Sequence, residues 1–141
     1  MPDAGHSGVP RELPLAVTAQ QESSGQSLER RPLLLLVEGA NDADFLIRIS
    51  NLLYQAQASP VNLAELATLG QIVIVPFGGG ISADWCNRFA PLGCPEVHLY
   101  DREVEPQTTQ RIQLAQRVNS RPRCQARVSA KRSLENYLHP K

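Results

Sequence analysis

The architecture of this chain turns on Leu33-Leu34-Leu35-Leu36-Val37-Glu38-Gly39. Five apolar residues run without interruption and then stop at a carboxylate and a glycine. A continuous run of this length suits a strand buried on both faces of a parallel sheet, where half-buried strands would alternate. Downstream, Asn41 is a candidate helix cap, with Asp44 three residues later in a capping-box position. Phe45, Ile49, Leu52, Leu53 and Ala56 follow at helical spacing until Pro60 ends the pattern. Asn62 with Glu65 opens a shorter turn through Leu63, Leu66 and Leu69, which Gly70 stops.

The same alternation continues to the end of the chain. Ile72 to Val75 predicts a second buried strand, followed by a turn at Gly78, Gly79 and Gly80. Ser82 is a candidate cap for a short helix carrying Trp85 and Phe89. Val97 to Tyr100 predicts a third strand ending at Asp101. A helix opened by Pro106 and Thr108 places Ile112, Ala115 and Val118 on one side, and Cys124 to Ser129 predicts a fourth strand. Strand and helix in alternation predict an α/β fold with a mostly parallel four-stranded sheet flanked by helices. Residues 1–31 are rich in Pro, Gly, Ser and Gln and read as a disordered tail, leaving residues 32–141 as the domain.

Composition bounds the function. The chain has 141 residues, with 14 Lys and Arg against 14 Asp and Glu, so a strongly basic nucleic-acid coat protein is excluded. The longest apolar run falls far short of the roughly 20 residues that span a bilayer, and Met1 to Val9 lacks the apolar core of a secretory signal. No membrane association and a cytoplasmic location are expected. Cys86, Cys94 and Cys124 show no metal-binding spacing and read as reduced thiols. The histidines show no ligand spacing, so zinc is not expected.

Ligands of a parallel α/β sheet bind at the carboxyl ends of its strands. Glu38 lies at the first such end, and Asp101 with Glu103 at the third. Carboxylates gathered on short loops suit hard, oxygen-seeking cations such as Mg²⁺ or Mn²⁺. Alternate residues of an extended segment share a face, which suits the Asp101-x-Glu103 pair; Glu105 is a second candidate for the third ligand. From Arg121 to Lys141, six basic residues stand against one acidic residue, Glu135, a balance open either to a phosphodiester partner or to a solvated face.

Four segments in order resemble the topoisomerase-primase (TOPRIM) domain, in the version found in overcoming-lysogenization-defect (OLD) family nucleases. Val37-Glu38-Gly39-Ala40-Asn41-Asp42 resembles the first motif, and Ile74 to Gly80 the middle strand with its glycine turn. Leu99 to Glu103 resembles the second motif, with Glu103 where the family has aspartate; Lys131 to Leu138 resembles its E-N-Y-L segment. The resemblance implies divalent-metal-dependent phosphodiester cleavage of DNA. It implies metal ligation by Glu38, Asp42, Asp101, Glu103 and Glu135, with catalytic roles for Glu38, Asp101 and Lys131. Gly78, Gly79, Gly80 and Arg132 would contact substrate. The family carries an ATPase domain ahead of this one; no GxxxxGK[ST] loop occurs here, so any ATPase is expected as a separate chain. More helical sequence follows the E-N-Y-L segment in the family, so a truncated domain is expected. The alternative is a non-catalytic remnant that binds metal or a partner ATPase without cutting.

Overall fold

The computed structural model describes residues 30–78 and 83–138. The expected tail at residues 1–31 falls almost wholly outside them, as do Gly79, Gly80 and Ser82. The described chain is an α/β layer structure. Strands β1 (Leu33–Val37), β2 (Ile72–Pro76), β3 (Glu96–Tyr100) and β4 (Cys124–Val128) form one sheet in the order β2-β1-β3-β4. All three pairings are parallel, with Leu35 opposite both Ile74 and Val97.

Helices cover the two faces because successive side chains of a strand point to opposite sides. Leu35 and Val37 face α1 (Ala40–Gln55) and α2 (Leu63–Thr68), where Ala43, Leu46, Leu63 and Leu66 pack on them. Leu34 and Leu36 face α3 (Gln107–Asn119), with Leu114, Ala115 and Val118 against them. Leu36 and Val118 are completely buried. Each such aliphatic side chain contributes about 1.5–3 kcal/mol when taken from water.

Three local expectations are corrected. Helix α1 begins at Ala40, ahead of the expected Asn41 cap. Gly39 occupies the cap position, and its N–H donates to Asp42 Oδ2 at 2.8 Å, so Asp42 takes the part assigned to Asp44. Leu52 and Leu53, placed on the apolar side of α1, are exposed. The helix expected around Trp85 and Phe89 is two short 3₁₀ turns, Ala83–Cys86 and Ala90–Leu92, the second closed by Gly93 at φ 61°. Pro91 lacks the N–H an α-helix would need there, and Gly93 turns the chain.

Helix α3 buries a different stripe from the one expected. Ala115 and Val118 are inside, while Ile112 is 44% exposed and Arg111 is 8% exposed. Asn62 does cap α2, its Oδ1 accepting the N–H groups of Ala64 and Glu65. No helix among the described residues is long and apolar enough to cross a membrane.

Candidate metal centre

Strand order creates the site. From β1 the chain crosses to β2 on one side and then returns to β3 on the other. The carboxyl ends of β1 and β3 therefore flank the point where the winding reverses, the place where open α/β sheets leave a crevice. Glu38 follows β1 and Asp101 follows β3. Glu38 Oε1 accepts the Asp101 N–H at 2.9 Å, which ties the two strand ends together.

The second partner of Glu38 comes from α3. Arg111 Nε donates to Oε1 and Nη2 to Oε2, both at 2.9 Å. The two side chains are only 9% and 13% exposed. Such a two-pronged bond fixes the carboxylate in both position and plane. It also explains why a guanidinium lies on the buried stripe of α3. Sequence reading missed Arg111, because helical spacing ranks aliphatic residues and carries no information about a partner 73 positions away.

Asp101 borders a small, largely apolar cavity. Val37, Leu99, Tyr100 and Leu134 line it together with Glu38, Asp42 and Ser129. Burial, and then the neighbouring charges of Glu38, Asp42, Glu135 and Glu103, push the Asp101 carboxyl up to about 7. Asp42 is raised by burial; the Gly39 N–H opposes this, and the charges of Glu135 and Glu38 add to it. Both directions have one physical meaning: the pocket disfavours another bare negative charge.

Glu103 completes the innermost group. One oxygen each of Glu38, Asp101 and Glu103 lies within 4.8 Å of the others. Glu103 takes φ 56°, in the left-handed region that side chains other than glycine seldom adopt. Its N–H donates to the carbonyl of Arg132, while the Thr108 hydroxyl donates to the carbonyl of Arg102 at 2.8 Å. Glu105 points elsewhere: its Oε2 accepts the N–H and the hydroxyl of Thr109 in the first turn of α3. The structure thus separates the two candidates for the third carboxylate.

The remaining expected site residues surround this core at different distances. Gly78, Asp42 and Glu135 share with Glu38 and Asp101 an open cleft of about 510 Å³. Arg132 Nε is 3.8 Å from Glu103 Oε2, and its side chain is 66% exposed. Lys131 Nζ donates to the carbonyl of Asn136 at 2.8 Å and lies 5.2 Å from the centre of the Tyr137 ring. The Tyr137 hydroxyl in turn accepts the N–H groups of Ala130 and Lys131. These bonds clasp the 3₁₀ turn Leu134–Tyr137 against the end of β4.

The basic C-terminal stretch is similarly engaged. Arg121 grips Glu96 through two bonds, of 3.0 and 2.7 Å, and Arg123 donates to the carbonyl of Gly93. Arg127 stays exposed on β4. Lys141 lies outside the described residues.

The donor set fits a hard divalent cation. It offers oxygen alone, carries several negative charges in a half-buried crevice, and has one carboxyl that resists ionisation without a counter-charge. It gives no soft ligand for zinc: Cys86 and Cys124 are buried free thiols, and His98 is buried between Tyr100 and Glu96. No family model matches the chain, and neither a curated protein nor a solved structure matches it.

Proposed function

We propose that the chain is a TOPRIM-like domain of the OLD nuclease type that cleaves DNA phosphodiesters with a divalent cation. The observation that carries this reading is the meeting of Glu38, Asp101 and Glu103 within 4.8 Å at the winding reversal of the sheet. They are three of the five carboxylates the motif resemblance nominates, brought together from two segments far apart in sequence.

In this reading Glu38, Asp101 and Glu103 hold Mg²⁺ or Mn²⁺, with Asp42 and Glu135 at the margin of the cleft. The cation, when bound, lowers the pKa of a water and offsets charge on the attacked phosphate. Arg111 keeps Glu38 in place. Asp101, whose carboxyl is raised by burial and acidic neighbours, would hold the cation as a carboxylate. Arg132, exposed beside Glu103, is positioned to meet a phosphate that approaches from solvent. DNA is the proposed substrate, and a separate ATPase chain is a proposed partner.

One observation favours the second reading, a metal-binding module that does not cut. Lys131, the expected catalytic cation, uses its ammonium on the Asn136 carbonyl in the 3₁₀ turn that follows it. Metal-titrated nicking of supercoiled plasmid by the purified chain separates the two. The nuclease reading predicts nicking in Mg²⁺ or Mn²⁺ that is lost in Glu38→Ala and Asp101→Ala. Wild-type cleavage by either variant, or none by a folded wild-type chain, contradicts it.

A further inference from the structure

The Arg111 fork limits how Glu38 can meet a cation. An ionised carboxylate offers about four lone-pair positions. Three of them already carry donors: the Asp101 N–H and Arg111 Nε on Oε1, and Arg111 Nη2 on Oε2. The two guanidinium bonds run in parallel and occupy the pair of positions that a chelated cation would need. One position on Oε2 remains, so Glu38 is held to coordination through a single oxygen.

We propose that Arg111 determines the cation specificity of this site, favouring small octahedral ions such as Mg²⁺ and Mn²⁺ over Ca²⁺ by keeping Glu38 from chelating. This rests on the metal-centre reading above. Ca²⁺ takes six to eight oxygens and commonly gains them from two-oxygen carboxylates, whereas Mg²⁺ keeps an octahedral shell with several waters. Mn²⁺ shares the preference for octahedral oxygen coordination. With Glu38 held to one oxygen, an octahedral ion still completes its shell with waters, while Ca²⁺ loses a ligand that a chelating Glu38 would supply. The charge of Arg111 is a separate effect, since it weakens every divalent cation alike. The ratio of two affinities cancels the charge and reports the geometry.

The test is calorimetric titration of the full chain with Mn²⁺ and, separately, Ca²⁺, at pH 8 and without nucleic acid. Wild type is expected to bind Mn²⁺ at least about tenfold more tightly than Ca²⁺. Arg111→Lys keeps the charge and gives up the fork, and Arg111→Gln gives up both. Each is expected to narrow that ratio by about threefold or more, mainly through a gain for Ca²⁺. An unchanged ratio in either variant with a wild-type circular dichroism spectrum overturns the proposal and leaves the metal centre standing. A wild type that binds neither ion overturns the metal centre itself. The wild type also supplies a test without variants: a Ca²⁺-soaked crystal with Glu38 chelating through both oxygens overturns the proposal, and single-oxygen contact supports it.

Discussion

Glu38 accepts the backbone N–H of Asp101 at 2.9 Å, although 63 positions separate them. The bond joins the ends of β1 and β3, the strands on either side of the winding reversal. It sets the Glu38 carboxylate beside that of Asp101 before any ligand arrives. Arg111 then locks the same carboxylate from α3. Two carboxyl groups are held close in this way, with an opposite charge fixed next to Glu38.

Removing Arg111 should therefore leave Glu38 half-buried and uncompensated. Arg111→Ala is expected to destabilise the metal-free protein by about 3 kcal/mol, as for other pairs broken from one side. Arg111→Ala in a Glu38→Gln background should cost clearly less, because the orphaned charge is gone. Urea denaturation of the four proteins gives the coupling energy. A coupling below about 0.5 kcal/mol would place the pair with ordinary surface salt bridges and refute the locked arrangement.

Asp101 predicts a pH dependence with a definite sign. Its carboxyl is raised from 3.8 to about 7 in the folded chain, so the folded state holds that proton more tightly than the unfolded one. The contribution to stability is greatest below pH 3.8 and is lost as pH rises from there to about 7. Asp101→Asn should remove this part of the slope, seen as a gain over wild type that grows with pH across the window. Metal affinity should move the other way, rising toward pH 7 as the competing proton leaves. An Asp101→Asn difference that stays constant from pH 4 to 8 would show that the carboxyl titrates normally.

A second buried polar group lies behind the site, on the α3 face of β3. Arg121 holds Glu96, Glu96 holds His98 Nε2 at 2.8 Å, and His98 Nδ1 meets the Tyr100 hydroxyl at 2.9 Å. Burial pushes the Glu96 carboxyl up, but the bonds from Arg121 and His98 outweigh it and leave the net shift downward. His98 is lowered, chiefly by burial. Arg121→Ala should destabilise the fold by about 3 kcal/mol through the uncompensated Glu96, which is 1% exposed. Because the folded chain disfavours charged His98, its contribution is present above pH 6.5 and is lost as pH falls below that value. Thermal melts of Arg121→Ala within 1 °C of wild type would show that the network carries no stability.

The sheet was legible because its strands declare themselves locally. Leu33–Val37 is read from five adjacent residues, and the observed strand has those same bounds. The carboxylates at the strand ends were legible for a related reason: topology places strand ends together whatever the loops do. Arg111 was not legible. On α3 it occupies a buried position that an aliphatic residue would normally hold, and only its distant partner Glu38 makes it stable there. The same holds for Glu96, a charged residue inside a strand, whose partner Arg121 lies in the turn before β4. The choice between Glu103 and Glu105 was open in sequence because both lie near Asp101. The structure separates them: Glu103, in a left-handed turn, lies with Glu38 and Asp101, and Thr109 holds Glu105.

At the centre of the proposed site, Glu38, Asp101 and Glu103 together hold one cation. Crystals of the chain grown with Mn²⁺ at pH 8, measured by anomalous diffraction, test this without relying on activity. The predicted result is an anomalous peak at coordination distance, about 2.0–2.4 Å, from one oxygen of each of the three carboxylates. A map with no peak at this crevice, or with Mn²⁺ bound elsewhere and Glu38, Asp101 and Glu103 bare, would contradict it.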